Sequence, residues 1–597
     1  MGKTLVIVES PTKASKIQEY LGKDYIVVAS KGHITELAKG GKHGLGVDIE
    51  NNFRPHYVLM NDKLDVMDQL LDLSKQCDSI LLCPDMDREG EAIAWHLADR
   101  LADVGKPIQR VVFNEIKKAV VQKAVKTPRA IDMNLFHSQE ARRILDRLVG
   151  FTASPFLMNF FGSKPPLSAG RVQSVVTRMI IDREREIEQF VPEEFWTIQV
   201  SLNDSKDSFQ AKYTGKLTDA QTAEDTKKIL SNKDYVISEV LAQEERKYPQ
   251  PPLVTSTLQR IMSKQHGFSA DRTMKAAQSL YENGFCTYIR TDSVRVGDEA
   301  LEEVRKLIAD KYELPVKAYT YKNKEAAQDA HECIRPSDLT ISPSDNYAMV
   351  DPDEKLVYET IWRYFVASQM MPAVYDTLSV TAHPTTNPKT TVKSTGKALK
   401  SKGYLDVLGV SDAGSIDIPN LTAGQAVSLD KGKNAVKLEK KATQPPPRFS
   451  EDKLIKELVN KGIGRPATYA ELLTRITGRN YVEKKGQVYH ATDLGKTITD
   501  ELLQYFTFMD YNYTAKMEQQ LDEIESGKIN HIDMLKKFYP DYKDELTKAY
   551  IGKGATMCEQ CGSAFTLRQA KADGSQFWAC TGFPKCRNTK PFTKSAA

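Results

Sequence analysis

No apolar run in these 597 residues approaches the roughly 18 that a membrane-spanning helix needs, which excludes a bilayer protein of that kind. The opening MGKTLVIVES has too short an apolar stretch, and no small-residue cleavage site, for a signal peptide, and so predicts a cytoplasmic chain. Net charge is scarce as well: 83 Lys and Arg against 79 Asp and Glu leave +4, too little to imply a polyanionic partner by itself. A P-loop is missing, because GKT at 2–4 and 495–497 lacks the upstream glycine that cradles ATP phosphates. Only eight cysteines occur, and Cys77, Cys83, Cys286 and Cys333 stand singly, which argues against a disulfide framework and for reduced thiols. Neither an internal repeat nor a low-complexity tract is present. A chain this long, 41% hydrophobic and 27% charged, predicts several globular domains.

What is there is sharply sectioned. In the N-terminal part the apolar runs TLVIVES, YIVVAS, SILLCPD and RVVFNEI alternate with amphipathic stretches, the helix EAIAWHLADRLAD lying between the last two. That alternation predicts an α/β domain with a mostly parallel sheet. From ARRILDRLVGF to TRMIIDREREIEQF the period is helical. Near FVPEEFWTIQVSL it becomes two, and strand-like text returns at YDTLSVTAHP and ALKSKGYLDVL after a long helical insertion, which predicts one discontinuous β domain. QPPLVT (250–255) and QPPPRF (444–449) mark entries to helical regions, since proline stops the element before it. Residues 549–597 carry seven Lys or Arg against two acids, a balance that suits a phosphate-rich partner unless it is only a solvated tail.

The densest chemical signal is DMDREGEA at 85–92, directly after SILLC. Asp85, Asp87 and Glu89 crowd a strand-to-helix turn, where α/β sheets place ligands. Carboxylates so close repel unless a hard cation neutralises them, and oxygen-only ligands suit magnesium. The alternative is an acidic first turn that complements the helix dipole, with Arg88 as a local ion pair. TLVIVES leaves Glu9 at its own strand end, before Pro11, which opens a helix, and Lys13, placed to face a phosphate. Glu9 joins the acidic cluster if the two strands are neighbours and is otherwise a cap. Near the C-terminus, CEQC, eighteen residues and then CTGFPKC space Cys558, Cys561, Cys580 and Cys586 for one tetrahedral zinc, which supplies folding energy that so small a module lacks. Phe577, Trp578 and Phe583, among Lys585 and Arg587, either stack on unpaired bases or form the core of that module.

TYIRTDS, within GFCTYIRTDSVRV at 284–296, closely resembles the active-site motif of type IA DNA topoisomerases. A Glu at one strand end with DxD at another resembles the Toprim domain shared by topoisomerases, primases and some nucleases. The resemblance implies that Tyr288, one of 25 tyrosines, attacks a backbone phosphate and keeps the 5′ end as a phosphotyrosine. Glu9 then serves as acid or base at the leaving oxygen, and Glu9, Asp85, Asp87 and Glu89 form the magnesium site. A phenol needs a nearby cation or base to attack, and Arg290, on the same side of an extended segment, is placed to hold the phosphate with Lys13. SKGHITEL carries His33, PPLSAGRVQS carries Arg171 and Gln173, LYENGF carries Glu282, AHECIRPS carries His331 and Arg335, and GIGRPATYA carries Arg465 and Thr468. By resemblance His331 helps hold the scissile phosphate and the others serve DNA binding. HGLGVDIENNFRPHY is similar to a linking segment of the bacterial topoisomerase I branch, and no insertion resembles the decatenation loop of the topoisomerase III branch. Ala467 and Cys333 depart from the usual motifs by small swaps.

The resemblance further implies a multi-domain α/β plus α and β fold. Its parts are an N-terminal Toprim α/β domain (1–144), a helical DNA-binding domain (145–194 and 444–548), a β-rich hinge or arch (195–252 and 376–443), a helical domain carrying the tyrosine (253–375) and a C-terminal four-cysteine zinc ribbon (549–597), with the four main domains forming a toroid. The implied activity is ATP-independent relaxation of negatively supercoiled DNA by single-strand cleavage, passage and religation, with Mg2+ and a structural Zn2+. The implied setting is a monomer on a single-stranded segment of the duplex, away from membranes, in the cytoplasm or on a bacterial nucleoid. Three rivals stand beside it. A Toprim nuclease or primase needs the carboxylates but not Tyr288, a topoisomerase III-like decatenase shares the motifs, and a non-catalytic scaffold depends wholly on 549–597.

Overall fold

The computed structural model describes residues 2–40, 44–161, 166–313, 315, 318–323, 331–345, 349, 351–410, 414–432, 434–561, 565–570, 574–580 and 586–592, so Phe583 and Lys585 lie outside the described residues. The N-terminal sheet has four parallel strands in the order Tyr25–Ala29, Thr4–Val8, Ser79–Leu82 and Ile108–Arg110. Both of its faces are covered, as a parallel sheet requires. Leu5 and Ile7 join Ile80 and Leu82 in one core beneath helices Leu64–Lys75 and Arg88–Leu101. Val6 and Val8 point the other way, into a core shared with Tyr281 and Tyr288. Each such fully buried aliphatic contributes ~1.5–3 kcal/mol, so the strand that ends in Glu9 is anchored from both sides.

The run RVVFNEI is strand only up to Arg110. Beyond it the chain leaves the sheet, because Asn114 accepts the backbone N–H of Tyr288 at 2.8 Å and Glu115 pairs with Arg335 at 3.4 Å. Helix Met133–Phe161 runs unbroken across the expected 144/145 boundary. It packs on Arg88–Leu101, Tyr511–Glu525 and His531–Gly552, so one helix serves all three neighbours and no breaker marks a domain edge. A second, antiparallel sheet runs in the order Ser208–Tyr213, Val392–Ser401, Ala373–Pro384, Asp234–Lys247, Ala426–Leu429, Glu194–Asn203 and Val436–Ala442. Its first strand also pairs with Glu194–Asn203, closing the sheet on itself. Helices Thr255–His266, Ala270–Glu282, Asp298–Lys311 and Pro352–Ala367 lie between its two halves in sequence. Three short strands, Phe565–Gln569, Gln576–Cys580 and Thr589–Pro591, form the C-terminal module. Among the described residues, no helix is long and apolar enough to cross a membrane.

Candidate active site

Parallel pairing of Ile7 with Leu82 brings the ends of their strands side by side. Ser10 caps helix Pro11–Leu21 by accepting the Lys13 N–H at 3.3 Å, which sets Lys13 one turn beyond Glu9. The Lys13 ammonium, 1% exposed, forms ion pairs with both Glu9 and Asp85. Burial pushes the Glu9 carboxyl up, but Lys13 outweighs it and holds the group below the usual carboxylate range. At Asp85 burial prevails over Lys13 and raises the carboxyl to about 7. Asp87 caps its helix and also meets the tyrosine. One of its oxygens caps helix Arg88–Leu101 through the Gly90 N–H at 2.9 Å, and the other accepts the Tyr288 phenol at 2.6 Å. A Cβ on Gly90 would stand 2.0 Å from the Asp85 carbonyl oxygen, so the turn requires glycine there.

Tyr288 is buried, with its ring edge-on to Tyr281 (5.2 Å) and His331 (6.4 Å). Burial, then the charges of Asp87 and Asp85, push its phenol well above the ordinary value, so it rests as a neutral hydroxyl. Arg290 reaches to 3.5 Å from the same Asp87 oxygen. Burial lowers the His331 imidazole, which therefore stays uncharged. Gly284, at φ +78°, would bring a Cβ to 2.6 Å from the Ile116 carbonyl oxygen, so the tyrosine-bearing segment abuts the stretch that follows the last parallel strand, backbone to backbone.

The four expected magnesium ligands do not form one cluster. Among the described residues, no three of Glu9, Asp85, Asp87 and Glu89 bring carboxylate oxygens within 4.8 Å of one another. The Lys13 ammonium stands between Glu9 and Asp85, and Glu89 is drawn off to His33 (3.0 Å) and Gln139 (3.3 Å). Burial raises the Glu89 carboxyl, but its hydrogen bond to His33 and the charge there bring it down to about 2. Oxygen donors still fit magnesium, which keeps most of its waters and needs only one or two carboxylates beside a phosphate. Asp85, which is buried, and Asp87 are the carboxylates that could hold it.

Two arginines expected on DNA turn inward instead. Arg171, 1% exposed, pairs with Glu518 at 2.5 Å and Asp146 at 3.2 Å. Arg335 pairs with Glu332 at 2.8 Å and Glu115 at 3.4 Å. Glu518 and Glu115 are themselves buried, and a buried acid needs a partner more than an exposed phosphate does. Arg465 shares Asp522 with Arg88, at 2.5 and 3.0 Å. Gln173 bonds Ser168, Thr468 bonds the Arg465 backbone, and Glu282 accepts from Gln278, all local contacts.

Three features escaped the sequence reading. Arg110, fully buried, donates to Glu91 and to the carbonyls of Leu82 and Pro84, and so fixes the turn that carries Asp85. Tyr281 lies between Lys13, 4.8 Å from its ring centre, and Tyr288. Glu518, Asp522 and Glu525 line one face of helix Tyr511–Glu525 and receive Arg171, Arg465 and Arg88; their spacing of four and three was the available signal.

In the C-terminal module the Sγ atoms of Cys558 and Cys586 are 3.5 Å apart and those of Cys561 and Cys580 3.3 Å apart. All four lie within 4.8 Å of one another, close to the edge of about 3.8 Å that a tetrahedron of ~2.3 Å Zn–S bonds has. Trp578 packs into both this module and the core around Met133–Phe161, which takes up one of its faces.

A family model described as DNA topoisomerase matches residues 130–536, one described as Toprim domain matches 4–116, and one described as topoisomerase DNA binding C4 zinc finger matches 555–595. The full-length topoisomerase I of Thermotoga maritima, solved in a monoclinic crystal form, is 35% identical, with a TM-score of 0.81 over 99% of this chain and 97% of that one.

Proposed function

The chain belongs to the DNA topoisomerase family, in the bacterial type IA topoisomerase I branch, and from that premise we propose that Tyr288 is its nucleophile. The enzyme relaxes DNA by transient single-strand cleavage and rejoining without ATP, with Mg2+ at its Toprim domain and a structural Zn2+ in its ribbon. The observation that carries the assignment of Tyr288 is its 2.6 Å hydrogen bond to Asp87, at the edge where the two acidic strand ends meet.

In this reading the phenolic oxygen bonds to phosphorus as the bond from phosphorus to the 3′ oxygen breaks, leaving a 5′-phosphotyrosine. Asp87 receives the phenolic proton along the existing bond, and Glu9, hydrogen-bonded to the Asp85 carboxyl that burial raises to about 7, relays the Asp85 proton to the departing 3′ oxygen. Lys13 and Arg290 offset the charge that builds on the phosphate. Asp85 and Asp87 would hold the magnesium ion, which would supply positive charge beside that phosphate. Rejoining reverses each transfer, and the retained bond energy removes any need for ATP. His331 positions the scissile phosphate, while His33 holds Glu89 apart from the reacting acids. Every group named belongs to one chain, which supports a monomer acting on single-stranded segments of negatively supercoiled DNA, in the cytoplasm or on the nucleoid. Arg171, Gln173, Glu282, Arg335, Arg465 and Thr468 serve that strand by shaping its groove.

The test is to quench a cleavage reaction with denaturant and identify the residue that carries the DNA, and by which end. An adduct on Tyr288 through a 5′ phosphate is expected; one elsewhere, or none, defeats the assignment. Relaxation stops with EDTA and returns with magnesium alone.

A further inference from the structure

We propose that His137, Glu140 and His531 form a second site for a divalent cation of the zinc class, joining helix Met133–Phe161 to helix His531–Gly552. One ring nitrogen from each histidine and a carboxylate oxygen lie within 4.8 Å of one another. His531 Nε2 is 3.6 Å from Glu140 Oε2, against an edge of about 3.4 Å for a tetrahedron of ~2.0–2.1 Å bonds. His137 and Glu140, three residues apart, share a helix face, and His531 opens the neighbouring helix after its Asn530 cap. The two imidazoles lie 4.1 Å apart and nearly parallel, at 17°. The other Glu140 oxygen accepts the Tyr57 hydroxyl at 3.3 Å, the kind of outer hydrogen bond that orients a metal-bound carboxylate.

Two nitrogens and one oxygen select zinc, cobalt or nickel over magnesium, and three protein ligands leave one position for water. The surroundings agree. Burial lowers both imidazoles, His531 to about 4, so they stand neutral as ligands must. Burial raises Glu140 to about 7, the mark of a carboxyl with too little positive charge beside it. None of the groups proposed for cleavage belongs to this trio.

The full chain, with its four-cysteine module loaded, is equilibrated with micromolar zinc in millimolar magnesium, freed of loosely held metal and measured for zinc content. Two zinc ions per chain are expected, falling to one in His137→Ala and in His531→Gln. A single zinc in the wild type overturns the proposal, and so does retention of both ions in either variant. Cobalt gives an independent reading: the second equivalent should add visible bands without further thiolate charge transfer, and should lose them in both variants. Growth of thiolate charge transfer with that second equivalent counts against the site.

Discussion

The Tyr288 phenol donates its proton to Asp87 across a separation of 201 residues, and the same Asp87 caps the helix that follows the acidic turn. One carboxylate thus holds the nucleophile and the scaffold together. DNA cannot reach a phenol that is 3% exposed until the tyrosine-bearing segment lifts from the sheet edge, a motion resisted by the Tyr288–Asn114 backbone bond and the Arg335–Glu115 pair. Tyr288→Phe keeps the ring and its packing but removes the oxygen. Cleavage should fall by on the order of 10⁴ or more, and no covalent adduct should survive a denaturant quench. Undiminished nicking by this variant would favour the hydrolytic rival.

The Lys13 ammonium pairs with both Glu9 and the buried Asp85. Removing one member of a buried ion pair costs ~3–5 kcal/mol because the charge left behind is uncompensated. Lys13→Met should lower the apparent melting temperature by at least ~5 °C and abolish relaxation, with part of the stability restored at pH 5, where the Glu9 carboxyl, raised by burial and no longer held down by Lys13, takes up a proton. An unchanged melting temperature would mean that the two acids do not depend on this ammonium.

Much of the sheet and the placement of Glu9 beside Asp85 were legible because strand periodicity and strand ends are local signals. TLVIVES and SILLC carry their own boundaries, and neighbouring parallel strands bring the two acidic ends together. The convergence of Arg88 with Asp522 was not legible, since 434 residues separate them and the acidic spacing on helix Tyr511–Glu525 marks a face without naming its partner. The same holds for Lys13, whose sequence position suits a phosphate as well as an acid. Only the fold decides that it faces Asp85, and that Arg171 faces Glu518 rather than solvent.

Glu525 offers a pH test at a carboxyl that takes no proton in the proposed cleavage. Burial raises its carboxyl from 4.5 to about 7 despite Arg88. The folded chain therefore holds a proton that an unfolded glutamate releases earlier, so its contribution to stability is complete below about 4.5 and is lost as pH climbs through about 7. The loss is at most roughly 3 kcal/mol. Wild type should melt at a lower temperature at pH 8 than at pH 5, and Glu525→Gln should flatten that difference. Equal slopes for the two proteins would assign the pH dependence elsewhere.

The zinc ribbon is attached to the core by a narrow seam: Asn159 donates to Thr566 at 2.9 Å, Thr566 donates to Tyr550 at 3.3 Å, and Trp578 packs against the same helices. None of these contacts touches Tyr288 or the acids around it. Cys558→Ser leaves three thiolates where zinc needs four, and so small a module depends on its metal to fold. The variant should lose its ribbon zinc and weaken DNA binding roughly tenfold through lost phosphate and base contacts, slowing relaxation at limiting DNA. Cleavage of a saturating single-stranded oligonucleotide should persist and should still require Tyr288. If that cleavage disappears along with the zinc, the ribbon is part of the reacting site and the division between a catalytic core and a DNA-holding ribbon is wrong.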